Sequence, residues 1–379
     1  MRSRILSVAV RGALLASFLA VGAAAWAQAG VSYNLGGLVS SEPYAAWIAS
    51  DFSYGAVSTS SLVLDARGEK ARAEASIDTS VLTGAAAQEA WLLASTPYGR
   101  SDELLVPAAV SGAYSPEETA VSLRVRSLYL KLDLDWASVT AGRQFVNYGR
   151  GALWSPTDIF DELDLSGLSP ERIGSDALRL SVPVGATEGL DLVAAPNTAP
   201  ADGRYALCGR ALIGGVDGAL LAARNGENKG WVVGADFKAD LEIGFYGEAT
   251  YELYDSGADG TLRAAAGADY SFGDFIIAAE YYYNGGGAAA DILFPDAHNL
   301  YGSIVWKASE LFQLSDTTVW DISASCGTST LLATLSVAQN ATLGAFVQGG
   351  YGAAAYGLEL GQGGSGWDAI CGLTIEVKF

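Results

Sequence analysis

Between Trp231 and Leu241 the chain alternates strictly: Trp231, Val233, Ala235, Phe237, Ala239 and Leu241 share one face, and Asp236, Lys238 and Asp240 the other. The pattern resumes with Ile243, Phe245, Ala249, Tyr251 and Leu253 against Glu242, Glu248, Thr250 and Glu252. Phe275, Ile277, Ala279, Tyr281 and Tyr283 repeat it against Glu280, Tyr282 and Asn284. Near the other end Ala71, Ala73, Ala75, Ile77 and Val81 lie opposite Lys70, Arg72, Glu74, Ser76 and Asp78. A period of two is that of a β-strand with chemically distinct faces. Extended over the chain, it gives about eighteen strands of roughly ten residues each, with sixteen as the alternative. They begin near residues 31, 58, 70, 119, 136, 174, 188, 204, 217, 229, 242, 261, 274, 298, 313, 329, 340 and 367.

The connections alternate in length. Short ones fall near Gly68, Trp136, Ala186, Gly215, Asp240, Gly273, Glu310 and Gln339, and longer ones cover about 40–57, 81–118, 145–173, 253–260, 286–297 and 351–366. Two on the long side, near Asn197 and Asn225, are brief, which keeps the sixteen-strand count open. Ten residues suffice for a tilted strand to cross a bilayer, and the apolar faces carry aromatics toward their ends, as lipid-facing girdles do. The expectation is an all-β fold, a transmembrane antiparallel β-barrel formed by residues 30–379 as one domain. A barrel cannot be divided without exposing sheet edges to lipid.

Composition narrows this further. Hydrophobic residues make up 50% of the chain, yet beyond residue 29 no run of eighteen apolar residues exists, which excludes a bundle of membrane helices. At the start, Arg2, Arg4 and Arg11 flank an apolar stretch from Ala13 to Ala25, followed by Ala25-Trp26-Ala27 and Ala27-Gln28-Ala29. A basic start, a short apolar core and small-residue exits predict a secretory signal over residues 1–29. Its removal takes three of the 22 basic residues and none of the 42 acidic ones, moving the formal charge from −20 to −23. That sign argues against nucleic acid as a partner. Of the three Cys, Cys371 falls on an apolar face; Cys208 and Cys326 are the pair a disulfide would use, the less favoured arrangement.

The last strand alternates Trp367, Ala369, Cys371, Leu373, Ile375, Val377 and Phe379 with Asp368, Ile370, Gly372, Thr374, Glu376 and Lys378. This aromatic ending resembles the terminal strand by which bacterial outer-membrane barrels are recognised for insertion, which implies the assembly machinery as a partner at Phe379. A second local signal is Gly142-Arg143-Gln144, Tyr148-Gly149-Arg150-Gly151, Ser155-Pro156-Thr157-Asp158, then Asp161, Glu162, Asp164 and Arg172-Ile173-Gly174. It resembles the G-R-Q…W-G…S-P-x-D segment of alginate-export-type and related porin-like outer-membrane barrels over residues 140–185. Tyr148 replaces the usual Trp, and Asp161-Glu162 replaces a common Asn-Pro. The resemblance implies a barrel whose third long loop approaches the lumen, not a particular substrate.

Candidate chemistry is sparse. Inward positions of the early strands supply Arg72, Arg124, Arg126, Arg179, Arg204 and Arg210; those of later strands supply Asp236, Asp240, Glu242, Glu248, Glu252, Asp269 and Glu280. Facing walls of opposite sign would select ions, so Arg124, Arg126, Arg143, Arg179, Arg210, Asp236, Glu248 and Glu280 are the candidate pore lining. Strict alternation sends Arg143 outward, so the assignment needs a bulge near Gly142 or a strand already out of the bilayer. Tyr148, Arg150, Asp158 and Asp161 are the candidate constriction. Asp158, Asp161, Glu162 and Asp164 lack the spacing and Gly of an EF-hand, so they read as a solvated acidic loop in preference to a Ca²⁺ site. The one His, His298, has Asp296 as its only local same-face neighbour, which is thin support for an enzyme. No cofactor is expected. The leading expectation is a porin-like passive channel for small hydrophilic solutes in the bacterial outer membrane. The alternative is an adhesin or a polysaccharide-binding or export barrel, using outer-loop acids Glu89, Asp102, Glu103, Glu117 and Glu118.

Overall fold

A computed structural model of the chain describes residues 30–48, 51–88, 90, 103–107, 119–164, 171–197, 199–226, 228–287, 294, 296–352 and 368–379. The signal segment expected over residues 1–29 lies outside them. Eighteen strands form one closed sheet: β1 Ser32–Ile48, β2 Asp51–Arg67, β3 Ala71–Gly84, β4 Thr119–Asp133, β5 Ser138–Gln144, β6 Ser175–Pro183, β7 Gly189–Ala195, β8 Arg204–Ile213 and β9 Val216–Asn225. The second half comprises β10 Gly230–Asp240, β11 Gly244–Tyr254, β12 Thr261–Phe272, β13 Phe275–Asn284, β14 His298–Trp306, β15 Phe312–Asp321, β16 Cys326–Ala338, β17 Ala341–Tyr351 and β18 Asp368–Lys378. Each strand pairs antiparallel with its sequence neighbour, and β1 closes on β18 with Leu38 opposite Lys378 and Trp47 opposite Ala369. Phe379 extends the seam, its backbone exchanging two hydrogen bonds with Gly37. A short strand, Glu103–Pro107, adds to β4 beyond the end of β5.

The count is eighteen because both brief outer connections are real. β7 returns directly into β8 and β9 into β10, each in continuous register. The long loop expected over 40–57 is instead ladder: β1 and β2 are each 17 residues and pair from Ser32–Arg67 to Ile48–Asp51. A hairpin that outgrows the bilayer can keep pairing in water.

Burial is inverted relative to a soluble protein. Leu220 is 70% exposed, whereas Glu280 is 2% exposed and Glu252 1%. The outward set Trp231, Val233, Phe237, Phe245, Tyr251, Phe275, Ile277 and Tyr281 follows the alternation, as do Ile77 and Val81. Aromatics belt the short-turn end, where Tyr270, Phe272, Phe275 and Trp306 stack in sequence with centroids 5.8, 5.4 and 6.1 Å apart. Trp47, Phe52 and Tyr54 mark the opposite end. Asp316 breaks the outer pattern, opposite Ile304 in register, and takes hydrogen bonds from the Thr318 and Ser329 hydroxyls. The three Cys form no disulfide; Cys208 and Cys326 are buried apart in β8 and β16.

Closure leaves no free edge from which the sheet can unzip. The folded protein is therefore expected to resist SDS until boiled and to migrate differently before and after heating on a gel. Identical migration would contradict a closed barrel.

Candidate functional site

Inside the barrel the segment after β5 folds back against the inner wall. Val146, Tyr148, Ile159 and Phe160 pack on Ala177, Val193, Ala195, Ala206, Cys208, Leu221, Ala223 and Val232, the inward residues of β6 to β10. Further along, Leu153 and Trp154 join Ala265, Tyr282 and Phe294, with Trp154 stacked on Tyr282 at 5.3 Å and edge-on to Phe294 at 5.1 Å. These inward apolar residues form the core of the molecule, filled by its own loop.

Polar contacts fix the same segment. Gly149 sits at φ +87°, a conformation that L side chains avoid, and a Cβ there would meet Ser155 Oγ and the Glu248 carboxylate. The turn aims successive amides inward. Arg150 and Gly151 donate to Glu248 Oε1 at 3.1 and 2.8 Å. Ala152 and Trp154 donate to Glu280 at 2.5 and 2.7 Å, with Leu153 at 3.3 Å. Thr157 gives Glu248 Oε2 both its amide, at 3.1 Å, and its hydroxyl, at 2.5 Å. A loop buried in a barrel must satisfy its backbone groups somewhere. Two wall carboxylates satisfy six backbone amides here, the concave amide array being the natural partner of an anion.

The charged side chains complete the seat. Arg150 reaches Asp236 at 3.0 Å and Asp217 at 2.7 Å. Arg172 pairs with Asp158 at 2.6 Å, and Arg204 donates to the Ile159 carbonyl at 3.0 Å. Asp161 accepts from the Val146 amide, while its Oδ2 is buried without a partner. Burial pushes the Asp161 carboxyl up to about 6, against the pull of that amide and of Arg172, Arg204 and Arg179. Burial likewise raises Asp158, with Asp161 adding to it.

A pH dependence follows. The Asp161 proton is held more tightly in the folded loop than in the unfolded chain, so the neutral form contributes stability that is full below about pH 4. This contribution is lost as pH rises through about 6. The thermal midpoint should fall across that window, and Asp161→Asn should flatten the fall. An unchanged slope in the variant would remove Asp161 as its source.

The predicted residues therefore divide. Asp236, Glu248 and Glu280 face inward beneath the loop, as its anchors and not as a water-facing acidic wall. Arg124 and Arg126 both reach Asp78, at 3.1 and 3.7 Å. A register shift opposite Ser76 and Ile77 leaves Arg126 as an extra residue, which keeps both guanidinium groups on one side. Arg179 and Arg210 share Asp191, at 2.7 and 2.9 Å. Arg143 is a correction. Gly142 is indeed distorted, at φ +117°, yet pairing stays in register, so Arg143 lies on the outer face and bonds Asp176. Tyr148, Arg150, Asp158 and Asp161 all lie in the inserted segment. The Asp158 side chain and Asp161 are buried in it, not solvated; the side chains of Glu162 and Asp164 lie outside the described residues. So do those of Glu89, Asp102, Glu103, Glu117 and Glu118. His298 stacks on Tyr281, with Nδ1 2.6 Å from its hydroxyl, and leans on Tyr283 at the outer surface. It makes no catalytic pair with Asp296. Sequence reasoning missed Trp154, Asp78, Asp191 and Asp217.

No protein-family model and no curated protein sequence matches this chain. Solved structures do. Acinetobacter baumannii OccAB4 superposes with a TM-score of 0.59 at 9% identity, covering 93% of this chain and 99% of that one. Pseudomonas aeruginosa OccK1 (OpdK) gives 0.54 at 8%, covering 91% and 98%. The outer membrane protein OprD of the same organism gives 0.51 at 9%, covering 92% and 93%. The fold is that of the OprD and Occ barrels. The expected barrel fold is thus borne out, whereas the narrower resemblance to alginate-export barrels is not, and the motif over 140–185 carries architecture only.

Proposed function

We propose that this protein is an outer-membrane channel for passive diffusion of small hydrophilic solutes, with the segment Phe145–Asp161 as its fixed constriction. The observation that carries the reading is the anchoring of that segment inside a closed barrel by Glu248 and Glu280. An adhesive barrel has no use for a loop bonded so heavily to its own lumen. Eighteen strands enclose a lumen wide enough to stay aqueous beside an inserted loop. The apolar outer face and its two aromatic belts suit the bacterial outer membrane. Along the remaining lumen, the Arg179–Arg210–Asp191 group and the arginines Arg124 and Arg126 at Asp78 would bias the solutes that pass. The relative OpdK was solved with vanillate, which supports a small organic solute as the cargo class. The ending at Phe379 would engage the barrel-assembly machinery.

The test is single-channel recording of the refolded protein in a planar bilayer. Discrete conductance steps are expected. A folded barrel, verified by its boiling shift, that gives no steps would refute the channel.

A further inference from the structure

The inserted segment is closed at its neck by one carboxyl group. Asp161, its last residue, takes the Val146 amide on Oδ1 at 3.2 Å, so the two ends of the segment are tied to each other as well as to the wall. Both residues are buried, and Asp161 Oδ2 is buried without a hydrogen-bond partner. A two-strand ribbon, Glu162–Asp164 against Glu171–Ile173, continues directly from Asp161 and carries Arg172. The charged groups that face Asp161 are Asp158 of its own segment, Arg172 of the ribbon, Arg179 of β6 and Arg204 of β8. Each of these arginines already serves another acceptor. Arg172 pairs with Asp158 at 2.6 Å and Arg179 with Asp191 at 2.7 Å. Arg204 donates to the Ile159 carbonyl at 3.0 Å and to Ser175 Oγ at 3.4 Å, while the Ser175 hydroxyl donates to the Phe160 carbonyl. Arg204 and Ser175 therefore fasten the two residues that precede Asp161.

A buried oxygen without a donor is costly, and more so on an ionised carboxylate than on a neutral one. Ionisation of Asp161 sets it in competition for these guanidinium groups. Arg172 and Arg179 hold buried carboxylates, which would be stripped of a cation if they moved. Arg204 serves a neutral carbonyl and a hydroxyl, the weaker acceptors, so it is the one an ionised Asp161 can draw away. We propose that Asp161 is a proton-operated clasp on the constriction: neutral, it leaves the neck as described, and ionised, it takes Arg204 from the Ile159 carbonyl and loosens that end of the segment. The clasp rests on the channel reading and gives that channel a pH response. Burial pushes the Asp161 carboxyl up to about 6, so the loosening sets in as pH rises through that value.

The test records single-channel currents of the refolded full chain from about pH 4.5 to about pH 7.5. Wild-type conductance should step upward with a midpoint near 6. Asp161→Asn keeps an oxygen for the Val146 amide and cannot ionise, so the step should vanish. Arg204→Gln keeps an amide donor for the Ile159 carbonyl but removes a cation that favours the ionised form, so its midpoint should move to higher pH. A merely structural role for Asp161 would not move the midpoint. Infrared difference spectra between the same pH limits supply a reading that needs no conduction: wild type should lose a carboxyl C=O band that Asp161→Asn never shows. A band indifferent to Asp161→Asn, or a conductance step that survives it, would overturn the clasp. A barrel that conducts at one level across the range refutes the clasp alone, whereas a folded barrel silent at every pH refutes the channel and the clasp with it.

Discussion

Replacing Glu248 and Glu280 together by Ala is expected to raise single-channel conductance about twofold or more, because the constriction then loses its seat on the wall. Glu248 accepts from the Arg150, Gly151 and Thr157 amides and from the Ser155 and Thr157 hydroxyls. Glu280 accepts from Ala152, Leu153 and Trp154. A hydrogen bond to a charged acceptor contributes about 1.5–3 kcal/mol, and each buried donor left bare costs about 1–3 kcal/mol. With several such bonds lost, the stacking of Trp154 on Tyr282 and the packing of Tyr148 cannot hold the segment in place. The barrel itself should survive, since β11 and β13 keep their ladders to both neighbours. Glu280→Gln offers a graded control: one carbonyl oxygen remains, so conductance should fall between wild type and the double variant. A double variant that retains its boiling shift and wild-type conductance would show that these carboxylates do not set the constriction.

The barrel wall was legible because the bilayer enforces a rule on every strand. An outward Arg or Lys at mid-membrane costs about 2–4 kcal/mol, so Trp231 to Leu241 or Phe275 to Tyr283 announce their faces directly. Where water takes over, the rule lapses, and β1 and β2 outran their predicted ends through Ser40, Ser41 and Glu42. The interior was harder for a different reason. Glu248 and Glu280 obey the same alternation whether they face water or a row of amides, so periodicity could not separate a selective wall from a loop anchor. One signal was available in the inward residues Val193, Ala195, Ala206, Leu221 and Ala223. They are apolar although they face a lumen, which makes sense only if something dry covers them. The loop that covers them was flagged by Gly149 and Pro156, but its partners lie some ninety to one hundred and thirty positions away, beyond any local pattern.

Selectivity should respond most to the arginines that remain near water. In Arg124→Ser with Arg126→Ser and Arg179→Ser, Asp78 loses both cationic partners and Asp191 keeps only Arg210. The variant removes three positive charges from the inner wall, while Asp78 and Asp191 stay. Lumen charges tune which ions pass. The reversal potential in a salt gradient should therefore move toward cation preference. Asp78 is only 3% exposed, and stripping a buried ion pair of one side costs about 3–5 kcal/mol when water cannot reach it. The lumen softens that penalty, and Asp78→Asn added to the triple variant removes it together with one negative charge. The quadruple variant should then recover part of the shift toward wild type, which a purely structural role for the arginines would not produce. Arg179→Ser alone, which leaves Asp191 paired with Arg210, should move the potential in the same direction by a smaller amount. If the triple and single variants both fold and neither moves the reversal potential, these arginines do not line the conducting path.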